Sequence, residues 1–170
     1  YISMFMEELL YRFNPWWTKK SVFPGIAREK YLSLLLKLKE NKDIVLVTGL
    51  RRVGKTTLLY QLIHRLLEDT DPNRICYLSL DNLALKDHSI HEVVEAYRQV
   101  KGLRHDEQVF LFLDEVHSKS DFEMQLKNLY DEGHVKVFAS GSSSLDIVMR
   151  SPYLTGRQRI VKMTPLSFTE

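Results

Sequence analysis

Residues 48–59 read TGLRRVGKTTLL, a loop bounded by two glycines that ends in a lysine and two threonines. The segment fits the pattern G-x-x-x-x-G-K-[ST], in which Gly49 and Gly54 allow a tight turn and bring backbone amides close to an anion. A β-branched run, IVLVT at 44–48, precedes the loop, and a helical pattern follows it. This order of strand, loop and helix predicts a phosphate-binding loop in an α/β fold.

Each residue type in the loop has a chemical role toward a nucleoside triphosphate. We expect Lys55 to reach the β- and γ-phosphates, the Thr56 hydroxyl to bind Mg²⁺, and Thr57 to reach the α-phosphate. The predicted nucleotide-binding residues of the loop are Gly49, Arg51, Arg52, Val53, Gly54, Lys55, Thr56 and Thr57.

Strand-like and helical segments alternate along most of the chain, which predicts a three-layer α/β sandwich with a mostly parallel sheet. Ser89 and Ser120 are predicted helix N-caps, because each opens an S-x-x-E capping box. Strands are predicted at 44–48, 75–80, 109–113, 135–140 and 159–163, and helices at 27–40, 55–68, 89–102, 120–133 and 142–149.

The beginning of the chain differs in character from the rest. We assign residues 1–24 to an N-terminal arm and residues 25–170 to the nucleotide-binding domain. A short helix is predicted at 4–13, followed by a proline-interrupted connection that contains Trp16 and Trp17. Burial of these indoles on the domain is favoured over a partner-binding surface. The sequence is expected to be a piece of a longer protein.

Polar residues follow two of the later strands. In VFLFLDEVH, Asp114 is the expected carboxylate for Mg²⁺ and Glu115 the expected base for an attacking water. In VFASGSSS, Ser140 or Ser142 at the end of a strand is a candidate sensor of the γ-phosphate, although both fit equally well as ordinary turn serines. The predicted catalytic residues are Lys55, Glu115 and Ser140.

Four motifs together resemble a known family. GLRRVGKTTLLYQLI, FLDEVH, ASGSSS and the ending YLTGRQRIVKMTPLSFTE look like the prokaryotic AAA_14-type ATPases, which are related to archaeal and STAND ATPases of the AAA+ class. The resemblance implies a P-loop NTPase core in which the sensor strand lies between the Walker A and Walker B strands. It also implies a further C-terminal domain beyond this sequence.

The resemblance adds two sets of residues to the predicted site. The segment FPGIAREKYL is similar to the part of these ATPases that packs against adenine, so Pro24, Ile26 and Arg28 are implied base contacts. Arg157 of the TGR motif is implied as an arginine finger or sensor, serving either its own site or that of a neighbouring subunit in a homo-oligomer.

Composition limits the partners and the location of the protein. A net charge of +2 is far from the strong positive field of a dedicated nucleic-acid binder, and one cysteine cannot form an internal disulfide. No apolar run is long enough to span a bilayer, so we expect no membrane partner and a soluble, cytoplasmic protein. The C-terminal cations Arg150, Arg157, Arg159 and Lys162 leave DNA as a partner open, but solvated or paired charges are favoured.

The predicted function is Mg²⁺-dependent ATP binding and hydrolysis with ATP/ADP and Mg²⁺ as ligands. A slow or non-hydrolysing nucleotide-gated switch, a DNA-associated regulator and a small-molecule kinase remain as alternatives. A GTPase is disfavoured, because no N-K-x-D element follows the loop. HEVVE at 91–95 departs from the zinc motif H-E-x-x-H, so His88 and His91 are expected on a solvated helix face and Cys76 as a buried apolar residue.

Overall fold

The computed structural model describes residues 3–20, 27–50, 52–142 and 152–165. The helices are α1 Met4–Phe13, α2 Glu29–Leu38, α3 Lys55–Leu66, α4 Ile90–Lys101 and α5 Phe122–Glu132. The strands are β1 Ile44–Gly49, β2 Ile75–Ser79, β3 Val109–Asp114, β4 Val135–Ser142 and β5 Gln158–Lys162. Among these described residues, no helix has the length and apolar character needed to cross a membrane.

The five strands form one parallel sheet in the order β2-β3-β4-β1-β5. The strand that carries Ser140, β4, therefore lies between the strand that leads into the phosphate loop and the strand that ends at Asp114. This order confirms both the parallel sheet and the predicted central position of the sensor strand. The predicted strands match the observed ones to within one or two residues at each end.

Buried side chains on the two faces of the sheet form two separate cores. Alternate residues of each strand face opposite sides, so Leu46 of β1 packs with α1, α4 and α5, whereas Val45 and Val47 pack with α2 and α3. Helices on both faces of a parallel sheet make the predicted three-layer sandwich. Cys76 is fully buried in the first core, as predicted.

Helix starts show where local sequence rules succeed and where they fail. The Ser89 hydroxyl accepts a hydrogen bond from the Glu92 amide at the start of α4, which confirms that cap. The Ser120 cap is wrong: α5 is preceded by Asp121 in a left-handed conformation, φ 55°, without a side-chain cap. Because the helix begins one residue later than the capping box requires, Ser120 lies outside the cap position.

One further helix prediction is only partly covered. The predicted helix at 142–149 begins inside β4, because that strand continues to Ser142. The remainder of that segment, 143–149, lies outside the described residues.

The N-terminal segment covers the free edge of β2. The Asn14 side chain donates to Tyr77 O at 3.1 Å and accepts from Tyr77 N at 2.6 Å, while the indole nitrogens of Trp16 and Trp17 donate to Ile75 O at 3.1 and 2.8 Å. An uncovered edge strand presents unpaired backbone groups to solvent or to other chains. The two indoles are packed onto the sheet, as the sequence favoured; the domain boundary at 24/25 remains a prediction.

Replacing Asn14 by alanine should destabilise the fold strongly. Asn14 is fully buried, and its loss leaves the N–H and C=O of Tyr77 and the carbonyl of Leu10 without this partner. Unsatisfied buried groups cost about 1 to 3 kcal/mol each, so we expect a loss of about 2 to 4 kcal/mol in the free energy of unfolding. Urea denaturation measures it, with the exposed Asn128→Ala as a control that stays close to wild type.

Candidate active site

The strand order brings the polar ends of three strands together. Since β4 lies between β1 and β3, the carboxyl ends of these strands are neighbours at one edge of the sheet. Phe112 and Phe138 stack on the α3 side with ring centroids 5.2 Å apart, and Asp114 and Ser140 follow them by two residues on the same face. The face that carries the aromatic core therefore ends in polar groups next to the start of α3.

The loop between β1 and α3 makes a turn that favours an anion. Arg52 and Gly54 have left-handed φ angles of 65° and 95°, and α3 begins at Lys55 without a side-chain cap on its first amides. Such a turn followed by a helix N-terminus directs N–H groups and the positive end of the helix dipole toward one point. Among the predicted loop residues, Arg51 lies outside the described part of the chain.

Gly49 sits where the loop leaves the sheet and has no room for a side chain. A Cβ there would lie 2.9 Å from the Met163 carbonyl oxygen and 2.9 Å from Cγ2 of Val53. The glycine therefore allows close packing of the loop against the segment after β5.

Lys55 is buried to 6% exposure at the base of the loop. Its ammonium donates to the carbonyl oxygens of Gly49 at 2.8 Å and Leu50 at 3.0 Å. These contacts keep the charge inside the curve of the loop, where it faces the same space as the first amides of α3.

Thr56 and Asp114 bring two oxygen ligands together. The Thr56 hydroxyl donates to Asp114 Oδ2 at 2.7 Å, and the carboxylate is only 2% exposed. A hydroxyl and a carboxylate are the oxygen donors that Mg²⁺ prefers, and an incomplete protein shell leaves positions for water and phosphate. The residues present therefore fit a magnesium ion that is delivered with a nucleotide.

Glu115 follows the strand in a strained conformation. Its φ and ψ are 55° and 49°, a region that non-glycine residues seldom occupy, and its amide donates to the Ser140 hydroxyl at 3.0 Å. Its side chain lines the same cleft as the phosphate loop, and its carboxylate lies 3.3 Å from His117 Nε2. Such a conformation persists only where the surrounding structure holds it in place, and residues of this kind cluster at functional sites.

Ser140 and Ser142 occupy different positions in the site. Ser140 is fully buried, and its hydroxyl donates to Asp114 Oδ1 while accepting from the Glu115 amide. Ser142, two residues later on the same face, lines the open cleft. Of the two candidate sensors, Ser142 is the one that reaches the space above the loop, and Ser140 supports the acidic pair from behind.

These groups surround an open cleft of about 840 Å³, within the usual range for ligand sites. Its described lining combines the phosphate loop, the start of α3 and the ends of two strands, and polar side chains dominate it. The lining residues are Arg52, Gly54, Lys55, Thr56, Thr57, Glu115, His117 and Ser142.

Comparison with known proteins agrees with this geometry. Residues 41–170 match the AAA_14 family, described as an AAA domain. The chain belongs to this family. The match includes the phosphate loop, the acidic pair and the serine strand, so family and fold together make this a nucleotide-binding P-loop domain of the AAA+ type.

Two relatives of this AAA domain are proteins described as uncharacterized. The chain is 36% identical over 132 residues to MJ1637 of Methanocaldococcus jannaschii, covering 77% of this chain and 28% of that protein. A Haemophilus influenzae protein is 26% identical over 147 residues, covering 85% of this chain and 37% of its own length. The chain thus spans little more than a third of these proteins at most, and their remaining parts lie outside the comparison.

Solved structures share the fold. The Hsp104–ADP complex of S. cerevisiae superposes with a TM-score of 0.64 at 21% identity, covering 95% of this chain and 30% of that one. A Drosophila ORC structure bound to DNA gives a TM-score of 0.57 at 14% identity, covering 82% and 91% of the two chains. At these identities the likeness concerns the fold alone.

Two arginines that the resemblance implied as site residues, Arg28 and Arg157, do not line the cleft. Arg28 is buried, and its guanidinium donates to Val53 O at 3.2 Å and to Thr164 O at 3.0 Å, behind the phosphate loop. Arg157 precedes β5, and its backbone carbonyl accepts a hydrogen bond from the Ile44 amide at the start of β1. This is the amino-terminal end of the strand, whereas the phosphate loop follows its carboxyl end. A cis role for Arg157 has no support from this position, and a role toward a neighbouring subunit stays a prediction.

The remaining implied base contacts, Pro24 and Ile26, lie outside the described residues. Their assignment therefore stays a prediction, as does a contact between Arg28 and adenine. In the structure, Arg28 joins the phosphate loop to the segment after β5.

Three residues near the site were missed by the sequence analysis of this AAA domain. The Tyr77 hydroxyl donates to Asp114 Oδ2 at 2.5 Å, Tyr60 packs on Tyr77 with centroids 4.6 Å apart, and His117 pairs with Glu115. Burial, reinforced by the Asp114 charge, raises the pKa of Tyr77 well above its ordinary value, so the phenol remains a donor. Of these three residues, only His117 could have been found from the sequence, because it lies in the DEVH segment beside Glu115. The two tyrosines occupy positions that are typical of core residues in a helix and a strand.

His91 is exposed on α4, as predicted, whereas His88 precedes that helix and Val93 and Val94 of the HEVVE segment are buried. His91 Nδ1 is 3.6 Å from Glu132 Oε1, and Glu95 pairs with His105 at 2.8 Å. Ligand atoms of His91, Glu95 and Glu132 converge to within 4.8 Å, which the sequence spacing did not reveal. These largely exposed side chains form ion pairs remote from the cleft.

Proposed function

We propose that this domain binds Mg·ATP and hydrolyses it with water. The observation that carries the proposal is the contact of 2.7 Å between Thr56 Oγ1 and Asp114 Oδ2, next to Glu115 and at the mouth of the phosphate loop. Two oxygen ligands, an anion-binding turn and an adjacent carboxylate are the parts that phosphoryl transfer to water needs. A P-loop of the AAA+ type supports the same conclusion.

The proposed work divides among the residues of the cleft. The loop amides and Lys55 bind the phosphates, and Thr56 and Asp114 provide the metal ligands. A magnesium ion held by Thr56 and Asp114 would supply positive charge that offsets the negative charge developing on the phosphate oxygens. Glu115 accepts a proton from the attacking water, and Ser142 donates a hydrogen bond toward the γ-phosphate.

Contacts around Glu115 favour water as the acceptor over a small-molecule hydroxyl. Its amide is bonded to Ser140 and its carboxylate to His117, so the base is held at the rim of the cleft within the protein's own network. A base fixed in this way can position a water molecule without help from an acceptor substrate. The kinase alternative therefore receives less support than hydrolysis.

A nucleotide-gated switch is the second candidate, and the Arg28 bridge favours it. Arg28 connects Val53 in the phosphate loop to Thr164 after β5, and Gly49 packs on Met163 in the same place. Occupancy of the loop would therefore alter the position of the segment that follows the sheet. The relatives are about three times as long as the matched region, and a further domain of that kind is what the segment would act on.

DNA is not the partner that the described cations favour. Arg159 forms an ion pair with Asp43 at 3.1 Å, and Arg157 donates to the carbonyl oxygen of Tyr153 at 3.1 Å. Arg150 lies outside the described residues. One ion-paired arginine and a second one bonded to a carbonyl oxygen do not form the continuous basic surface that binds phosphate backbones.

Turnover as a function of protein concentration tests the proposal and its oligomeric form. We expect Mg²⁺-dependent phosphate release that chelation of the metal removes. A rate per molecule that rises with concentration, and that Arg157→Ala abolishes while ATP remains bound, supports completion of the site by a neighbouring copy. Tight ATP binding with no release at any concentration would contradict hydrolysis and support the switch.

A further inference from the structure

Tyr77 donates a buried hydrogen bond to Asp114 that the proposed function leaves unassigned. Tyr77 lies on β2 opposite Phe112 of β3, and Ser79, two residues after Tyr77 on the same face, is in register with Asp114. The phenol therefore reaches diagonally across the strand pair and donates to Asp114 Oδ2 at 2.5 Å, with only 4% of the tyrosine exposed. Buried hydrogen bonds to a carboxylate are short and strong, and their loss leaves the charge poorly compensated.

Asp114 is held from three elements of the fold. Tyr77 on β2 and Thr56 on α3 both donate to Oδ2, and Ser140 on β4 donates to Oδ1. Three donors on two oxygens fix both the position of the carboxylate and the rotation of its plane. Thr56 and Ser140 belong to elements that carry the predicted motifs, α3 and β4. Tyr77 lies on β2, which carries none of these motifs.

The phenol itself is rigidly supported. Its ring packs on Tyr60 with centroids 4.6 Å apart and on Phe13 at 6.3 Å, and Asn14 binds the backbone N–H and C=O of the same residue. Tyr60 follows Thr56 by one helical turn on α3, so the helix that carries one metal ligand also packs on the residue that orients the other. Both the backbone and the side chain of Tyr77 are therefore fixed before any ligand arrives.

We propose that Tyr77 is a positioning residue for the magnesium site, whose phenol holds Asp114 Oδ2 beside Thr56 Oγ1. This inference rests on the proposed function, since it concerns the same Mg·ATP site. Binding of nucleotide phosphates through the loop amides and Lys55 does not depend on Tyr77. Tyr77 therefore affects only the increase in nucleotide affinity that Mg²⁺ provides, and not the affinity measured without the metal.

Tyr77→Phe tests the proposal, because it removes one hydroxyl and keeps the ring. The measurement is the affinity for a fluorescent ATP analogue, taken once with Mg²⁺ and once with EDTA. We expect the gain in affinity that Mg²⁺ gives to the wild type to fall about tenfold in the variant, while the affinity in EDTA stays unchanged. A purely structural role would instead weaken both affinities together.

Tyr97→Phe is the matched control. Tyr97 is also buried, in the core on the other face of the sheet, and its hydroxyl donates to Asn73 O at 2.7 Å. We expect it to lower the unfolding temperature while keeping the full Mg²⁺ gain. Should Tyr77→Phe fail to fold in a thermal scan, Tyr77→Met provides a second side chain without a hydroxyl.

The outcomes separate this inference from the function it rests on. A wild-type protein that binds the analogue more tightly with Mg²⁺, beside a Tyr77→Phe variant with an equal gain, overturns the positioning role alone. A wild type that gains nothing from Mg²⁺, or does not bind the analogue, overturns the proposed magnesium site and the role of Tyr77 with it.

Discussion

Lys55→Ala is expected to abolish measurable ATP binding. The ammonium lies inside the phosphate loop, where it donates to the carbonyl oxygens of Gly49 and Leu50, and this buried lysine lines the cleft. Charge-assisted hydrogen bonds to two phosphate groups are worth about 3 to 5 kcal/mol together, so affinity should fall by about 10²- to 10⁴-fold. Isothermal titration with ATP in Mg²⁺ measures the loss.

Lys136→Met provides the matched control for that experiment. Lys136 is also a buried lysine, 3% exposed, and its ammonium also donates to backbone carbonyls, those of Asn41 and Asp43. These carbonyls precede β1, at the amino-terminal end of the strand, whereas the phosphate loop follows its carboxyl end. The substitution should therefore reduce stability and leave ATP affinity unchanged. Equal affinity of Lys55→Ala and wild type would show that the nucleotide does not bind at this loop.

Glu115→Gln is expected to separate binding from turnover. The amide keeps the size of the side chain and can still bond to His117, but it cannot accept the proton of the attacking water. General base catalysis contributes typically 10²- to 10⁴-fold, so phosphate release should fall by at least about 100-fold while the ATP dissociation constant changes little. Steady-state release of phosphate and a binding titration on the same sample provide both values.

The control for this variant is Glu123→Gln, a carboxylate in the first turn of α5 that does not line the cleft. It should turn over ATP at the wild-type rate. Normal hydrolysis by Glu115→Gln would assign the base to another group and remove the main argument for the acidic pair.

The phosphate loop could be predicted from the sequence because it depends on local pattern, whereas the position of the sensor strand was implied only by the resemblance to the AAA_14-type ATPases. GLRRVGKT requires its glycines at the two ends of a turn, and this is where the structure has Gly49 packed on Met163 and Gly54 in a left-handed conformation. Asp114 was predictable as well, since a carboxylate after an apolar strand must lie at the carboxyl edge of a parallel sheet.

Contacts across the sheet could not be predicted in the same way. Nothing in the spacing relates Tyr77 to Asp114, because the two residues meet only through the register of β2 on β3. Asn14 bonding the edge of β2 is equally non-local, as is the bridge of Arg28 to Val53 and Thr164. The Ser120 cap failed for a local reason: the capping-box rule ignores the left-handed turn at Asp121.

Single-turnover hydrolysis of ATP by excess protein tests the central claim most directly. Protein is mixed with a smaller amount of radiolabelled ATP, and conversion to ADP is followed in Mg²⁺ and in EDTA, for wild type and Glu115→Gln. Since one chemical step is observed on bound nucleotide, slow product release does not hide it. The account predicts complete, Mg²⁺-dependent conversion by the wild type and intact bound ATP with Glu115→Gln; intact ATP on the wild type would contradict it.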